Sequence, residues 1–338
     1  MYLLTPASPD AYSRMMGEMM QHRLTIIGDV GVDLVLGPIS GWPRVGTETL
    51  VERSELRAGG SAGNAALAVS YLGGHSRLLS VVGNDEPGSW LAGQLQPLEA
   101  TLAICNAPTT LTVGLIHSCS ERTFFTTRGH LEALTYDLLR PRITPAPTAD
   151  SIALLSGVFL TPALRAAYPL LIHELQALGY RVALDTNWPP EDWSAGLRAE
   201  VAGWIRSCDH VLLNDLEVRS LTESDDLDLA IGRLAPMLKP GATLIVKTGA
   251  RGALGIQDGE RCEHAAAQAA IFDTIGAGDS FNAGYLLARL DGAGLRDSLA
   301  AGCQAATSII ARFPRRSIAA GDLSGLRTHL PAALEEQT

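Results

Sequence analysis

The chain has 338 residues, enough for one large α/β domain or two smaller ones. Its 46% hydrophobic content against 18% charged excludes wholesale disorder and supplies a sizeable core. A net charge of −10, with no basic run longer than two residues, argues against nucleic acid or an anionic membrane surface as partner. Any phosphate handled here must rest on backbone amides and a metal more than on a field of lysines. The five scattered cysteines (Cys105, Cys119, Cys208, Cys262, Cys303) contain no C-x-x-C, which fits neither a disulfide framework nor a zinc site and suits a reducing cytoplasm. The eight histidines form no H-x-x-x-H pair, and no apolar run reaches the ~18 residues needed to span a bilayer. Residues 1–23 lack the basic start and apolar block of a secretory signal. They are expected to form an N-terminal extension outside a domain running over 24–330.

Residues 24–27 predict a short buried strand ending at Gly28-Asp29, with Asp33 soon after. From 34 to 58 the chain turns to Gly, Pro, Thr and short alternating pieces, which predicts exposed β structure apart from any main sheet. An Ala-rich helix over 63–72 stops at Gly73-Gly74, and a strand follows over 78–82. Residues 111–117 and 123–127 predict a hairpin around the polar turn Ser118-Cys119-Ser120-Glu121. Beyond Pro141, Pro145 and Pro147, strands at 152–155, 182–184, 210–213 and 244–247 alternate with helices at 164–178, 195–207 and 227–238. That rhythm predicts βαβ units and a parallel sheet covered on both faces. Ligands bind beyond the carboxyl ends of such strands, where Asp29, Asp185, Asn214 and Thr248 fall.

Two glycine segments carry the chemistry. In Asp273-Thr274-Ile275-Gly276-Ala277-Gly278-Asp279-Ser280-Phe281, paired glycines permit a tight turn, and an apolar helix over 281–290 follows directly. The amides of Gly276, Ala277 and Gly278 would converge at a helix N-terminus, a nest for the charge that builds on a transferring phosphoryl group. Asp279 at its lip is the candidate general base toward an attacking hydroxyl. Taken alone, the segment reads better as an ordinary Gly-rich turn with Asp279 as helix N-cap. In Gly59-Gly60-Ser61-Ala62-Gly63-Asn64 the glycines would let a ligand lie on bare backbone, and Asn64 offers a donor and an acceptor to sugar hydroxyls. A packing role for this segment is equally open.

Together the two segments resemble the paired signatures of the PfkB, or ribokinase-like, carbohydrate kinase family. Gly59 to Ala66 fits G-G-x-x-x-N-x-A, and Asp273 to Gly284 fits D-T-x-G-A-G-D-x-F-x-x-G. Smaller matches follow in the family's order. Gly28-Asp29 with Asp33 is similar to the first-strand motif whose second acid binds substrate hydroxyls, and Gly83-Asn84-Asp85 with Gly88 is similar to G-x-D-x-x-G. Asn214-Asp215-Leu216-Glu217 fits N-x-x-E, whose glutamate organises Mg²⁺ and its water. Thr248-Gly249-Ala250-Arg251-Gly252 resembles the nucleotide loop.

The resemblance, which covers residues 24 to about 317, implies a ribokinase-like α/β fold. Its central sheet would be mostly parallel with helices on both faces, plus a small β lid from about 34–58 and 110–128. It implies ATP-dependent phosphorylation of a hydroxyl of a sugar or sugar derivative. Asp279 would be the base, with Gly276, Ala277 and Gly278 as anion hole. Asp33, Gly59, Gly60 and Asn64 would hold the sugar, and Asn214, Thr248, Gly249 and Gly252 the ATP. Glu217 would serve Mg²⁺ through water. The lid is expected to exclude water and to join two copies into a homodimer in the cytoplasm. A nucleoside kinase of the same fold and a non-catalytic sugar-binding sensor stay open as alternatives.

Two departures stand out. Pro189, in Asp185-Thr186-Asn187-Trp188-Pro189-Pro190, occupies a place where the family often has arginine, which implies a missing contact to an acidic or phosphorylated substrate. Pro314 stands near a glycine of the loop that holds a monovalent cation in potassium-activated relatives, so activity is expected not to depend strongly on potassium. Cys303 and Ser308 are considered for an adenine pocket, with helix packing the plainer role. Arg122 and His130 are secondary candidates for substrate contact, set against roles at the surface.

Overall fold

The computed structural model describes residues 23–118, 121–270 and 272–312. In chain order the strands are β1 (Leu24–Gly28), β2 (Gly31–Ile39), β3 (Arg53–Gly59), β4 (Arg77–Gly83), β5 (Glu99–Cys105), β6 (Leu111–His117) and β7 (Arg122–Thr126). Then come β8 (Ile152–Ser156), β9 (Arg181–Asp185), β10 (His210–Asn214), β11 (Thr243–Lys247), β12 (Ala253–Gln257) and β13 (Glu260–His264). The helices of two turns or more are α1 (Ser61–Tyr71), α2 (Glu86–Leu95), α3 (Tyr168–Ala177), α4 (Ala195–Ile205), α5 (Asp215–Thr222), α6 (Leu227–Leu234), α7 (Ala277–Leu290) and α8 (Leu295–Ile310).

The main sheet runs β13-β12-β11-β10-β9-β8-β1-β4-β5. From β11 to β5 neighbouring strands are parallel, and β12 and β13 close one edge as an antiparallel pair. The period-2 alternation of side chains sorts the core into two layers. Ile27, Leu155, Leu184 and Leu213 point to one layer with Leu171 of α3 and Trp204 of α4. Their neighbours Ile26, Leu154, Ala183 and Leu212 point to the other, against Ala65 of α1, Tyr285 of α7 and Leu299 of α8. Strands hidden on both faces must be apolar throughout, and β1 and β8 are buried at every position. Each such Leu or Ile removed from water contributes about 1.5–3 kcal/mol before chain entropy is counted.

A second, four-stranded sheet has the order β3-β2-β6-β7. It starts at Gly31, so Val32 and Asp33 belong to it, and β3 leads straight through Gly60 into α1. Of the predicted hairpin turn, residues 119 and 120 lie outside the described residues, as do 1–22 and the loop holding Pro314. Arg23 packs on the main sheet, its carbonyl accepting the Ile152 N–H at 2.8 Å.

Several element ends move for stated reasons. The helix expected over 164–178 is broken into a single turn at Pro162–Arg165 and α3, with Pro169 in α3's first turn. The helix expected to Leu238 leaves α geometry at Leu234, where Pro236 imposes a 3₁₀ turn. The two edge strands, β5 and β13, have a partner on one side only, β4 and β12 respectively, and β13 carries the polar sequence Glu-Arg-Cys-Glu-His.

Candidate active site

The helix after the second glycine segment begins four residues earlier than expected, at Ala277 rather than Phe281. Gly276 is its N-cap, at φ 73°, a left-handed conformation open to glycine at little cost. Asp279 therefore sits inside the first turn and is not the N-cap. The Ala277 N–H already donates to the Thr274 carbonyl at 3.2 Å. Gly278 and Asp279 occupy first-turn positions, whose N–H groups have no partner within a helix. These amides, with the positive end of the helix dipole, are what the loop offers an anion.

Asp279 is buried, and the amide Nδ2 of Asn64 donates to its Oδ2 at 3.1 Å. The two glycine segments, 215 residues apart, thus meet side chain to side chain. Burial holds the Asp279 carboxyl well above its ordinary pKa, and the nearby charge of Asp185 pushes the same way. Lys247 and the Asn64 bond pull against that shift.

Lys247 is a further functional candidate, one that no sequence motif marks. It ends β11 with its Nζ donating to Asp185 Oδ2 at 2.7 Å and to Asn282 Oδ1 at 3.3 Å. Asn282 in turn donates to Asp185. A methyl added to Gly278 would lie 3.5 Å from the Lys247 ammonium, so the charge stands beside the nest. Burial works against that charge, but Asp185 and Glu217 outweigh it and hold the ammonium above its ordinary pKa. The available signal was scarcity, since this chain has only two lysines, Lys239 and Lys247, and one of them closes a buried strand.

Asn214 and Glu217 form a reciprocal capping box at the start of α5. Asn214 Oδ1 accepts the Glu217 N–H and Glu217 Oε2 accepts the Asn214 N–H, both at 2.8 Å. The box leaves Asn214 Nδ2 and Glu217 Oε1 outside it. Glu217 is buried, and that burial, followed by the charge of Asp185, raises its pKa. At the neighbouring strand end, the hydroxyl and N–H of Thr248 both donate to the Gly252 carbonyl, at 3.0 and 2.9 Å. That closes a one-turn loop in which Gly249 and Gly252 both have positive φ.

Asp33 lies on β2, opposite Arg57 of β3, with its carboxyl packed directly over Gly59, where a Cβ would overlap it. Gly60 caps α1 and sits 2.6 Å, measured from an added Cβ, off the Asp29 carbonyl. Asp29 itself is structural. Its Oδ1 accepts the Ala62 N–H at 3.1 Å, tying β1 to α1, and burial pushes its pKa up to about 6. Asp85 likewise caps α2 through the Gly88 N–H at 2.9 Å and also accepts the Thr109 N–H at 2.8 Å.

Other candidates fall elsewhere. His130 is fully buried, accepts the Thr110 N–H at Nδ1 and, 3.0 Å from the Val30 carbonyl, donates from Nε2. It is neither a surface residue nor exposed to a substrate, and burial lowers its pKa. Cys303 is buried with its thiol against the His264 carbonyl at 3.7 Å, while Ser308 is half-buried on the same helix. Arg122 donates to the Thr274 hydroxyl at 2.6 Å instead of pairing with Glu121. Asn187 holds a positive φ of 59° and accepts the Gly157 N–H at 2.7 Å, which keeps the Pro189 segment beside the end of β8.

This arrangement gathers a buried carboxylate, a buried ammonium, unpaired helix amides and two glycine loops at the carboxyl ends of adjacent strands. Among solved structures, a probable sugar kinase from Rhizobium etli superposes with a TM-score of 0.75 at 21% identity, covering 92% of this chain and 99% of that one. Arabidopsis thaliana ribokinase, complexed with ribose and ATP, superposes with a TM-score of 0.70 at 19% identity over 90% of this chain and 97% of that one. A fructokinase from Klebsiella pneumoniae is 30% identical over 252 residues, 72% of this chain and 80% of its own length. The family described as pfkB family carbohydrate kinase matches residues 21–314. The chain therefore belongs to the pfkB family of carbohydrate kinases, enzymes that phosphorylate sugars with ATP.

Proposed function

We propose that this chain moves the γ-phosphoryl group of ATP to a hydroxyl of a free sugar, with fructose the first candidate because its 30%-identical relative is a fructokinase. The observation that carries the reading is Asp279, held by Asn64 in the first turn of α7 beside Lys247. In this reading the sugar hydroxyl gives its proton to Asp279 as its oxygen bonds to the γ-phosphorus. The bond to the bridging oxygen breaks, and ADP leaves with that electron pair. Phosphoryl transfer asks for positioning and charge stabilisation, and the α7 amides and Lys247 are aimed at that need. Asp33 and Asn64 would orient the sugar, and Asn214 and the 248–252 loop the nucleotide.

The described residues contain no cluster of three metal-ligating side chains. They fit Mg²⁺ that is held mainly by the triphosphate and water, with Glu217 Oε1 taking a water. When bound, that ion would offset charge on the phosphates. The sheet β3-β2-β6-β7 would be the lid over the sugar. Its outer face, with Leu34, Leu36, Leu56, Val113, Leu115 and Phe125, would join a second copy.

The test is incubation with Mg²⁺, ATP and, separately, fructose, ribose, gluconate and adenosine, reading ADP release and the phosphorylated product by ³¹P NMR. A sugar phosphate formed in step with ADP supports the reading. Preference for adenosine, or ATP binding with no product from any acceptor, overturns it.

A further inference from the structure

Four consecutive residues just ahead of the phosphate nest are gripped by the small sheet. The Arg53 guanidinium of β3 lies over the Phe272 ring, 4.0 Å from its centroid. Arg57 of β3 reaches Asp273 with both terminal nitrogens, at 3.2 and 3.5 Å, and also Glu55 at 3.4 Å. Arg122 of β7 donates to Thr274 at 2.6 Å, and Ile275 packs beside Gly114 of β6. Strand alternation explains the set, since Arg53, Arg57 and Gly59 share one face of β3. The Arg57–Asp273 pair is no solvated surface bridge, with side chains only 12% and 2% exposed.

Asp273 has a second task. Its Oδ1 accepts the Ile275 N–H at 2.9 Å, shaping the turn that delivers Gly276 to the helix cap. Arg57, for its part, stands directly across the β2–β3 ladder from Asp33 and two residues before Gly59. One guanidinium thus bridges the strand pair that would hold sugar and the turn that forms the nest.

We propose that Arg57 is a positioning residue that couples the sugar subsite to the phosphate nest, with Arg53 and Arg122 sharing the grip. The proposal rests on the kinase reading for its consequence. With the small sheet seated, Arg57 fixes Asp273 and the nest takes its shape; with the sheet lifted, Asp273 loses the Arg57 guanidinium and the turn loosens. Phosphoryl transfer to water in the absence of sugar is thereby suppressed.

The variants are R57M, R57K and D273N, the last keeping an acceptor for the Ile275 N–H while removing the charge. With fructose as acceptor, wild type should release one ADP per fructose phosphate. R57M and D273N, in which the turn stays loosened, should keep that ratio but form fructose phosphate more slowly by about fivefold or more, the lower end of ordinary coupling between sites, and R57K should stay near wild type. A second readout needs no turnover. Adding the non-hydrolysable analogue AMPPNP should slow amide exchange in β3 and β7 of wild type and R57K, and leave it unchanged in R57M and D273N, whose melting and ADP binding persist. Equal slowing in all four proteins overturns the coupling, whatever the rate of fructose phosphate formation. A loss confined to affinity for gluconate, with exchange and the fructose rate unchanged, overturns it too, since Arg57 would then be a direct substrate contact. If wild type phosphorylates no acceptor, the kinase reading fails, and the exchange experiment still decides whether Arg57 links the sheet to the nest.

Discussion

At the scale of single residues, the site is a balance of buried charges. Asp279→Asn preserves size and the bond to Asn64 but removes the proposed base. Turnover is expected to fall by ~10²–10⁴-fold while melting temperature and AMPPNP affinity hold, read by an ADP-release assay beside a thermal melt. Because Asp279 is raised by burial and by Asp185, its ionised form accumulates only as pH climbs past the ordinary carboxylate range. The acidic limb of kcat/KM should therefore lie above that range. Lys247→Met removes a charge that favours the ionised form and should move the limb to higher pH, whereas Asp185→Asn should move it lower. Limbs that coincide in pH–rate profiles of the three proteins would refute this electrostatic account. Asp29 gives a stability signature of its own. Its pKa rises from 3.8 to about 6 in the folded state, so between these values the unfolded chain sheds a proton that the native chain retains. Stability then falls as pH rises through that window, by roughly 3 kcal/mol for two pKa units. Asp29→Asn should flatten this slope in urea titrations at pH 4 and pH 6.5.

At the scale of elements, α1 and α7 start alike, each from a positive-φ glycine without a side-chain cap. Their N-termini differ in what they face. The first turn of α1 is closed by Asp29, while that of α7 carries Asp279 and is the proposed anion site. Gly59 shows how a missing side chain can serve a neighbouring strand, because any Cβ there would displace the Asp33 carboxyl. Gly59→Ala is expected to raise the KM for the sugar roughly 10- to 100-fold, the range for losing one hydrogen bond to a charged group, with a smaller effect on kcat. Steady-state kinetics with fructose would show it, and an unchanged KM would mean that Asp33 does not contact substrate. The same absence of bulk at Gly284 brings α7 against α8, where an added methyl would lie 2.6 Å from the Ala301 carbonyl.

At the scale of the whole molecule, the small sheet is asymmetric. Its inner face carries arginines toward the nest, and its outer face leaves Phe125 51% and Leu56 53% exposed, with Trp42 edge-on to Phe125. Large exposed apolar side chains grouped on one sheet face mark a contact surface. Phe125→Glu should shift the protein toward monomer in sedimentation velocity with little change in melting temperature. A wild type that is already monomeric at micromolar concentration would dismiss the proposed dimer.

The sequence by itself determined the α/β class, the parallel sheet and the family, because buried strands must be apolar and the glycine segments keep local spacing that a reader can match. It also singled out Asp279, Asn64, Asn214 and Glu217, all of which lie within or beside recognisable motifs. Tertiary structure alone decided that Asn64 and Asp279 touch, that His130 is buried and that Lys247 stands beside Gly278. It alone brought Arg57 to Asp273, 216 positions away along the chain. No local pattern encodes such meetings. They follow from which strands pair and which helices pack, and those choices are made by the burial of the whole core, not by the residues that meet.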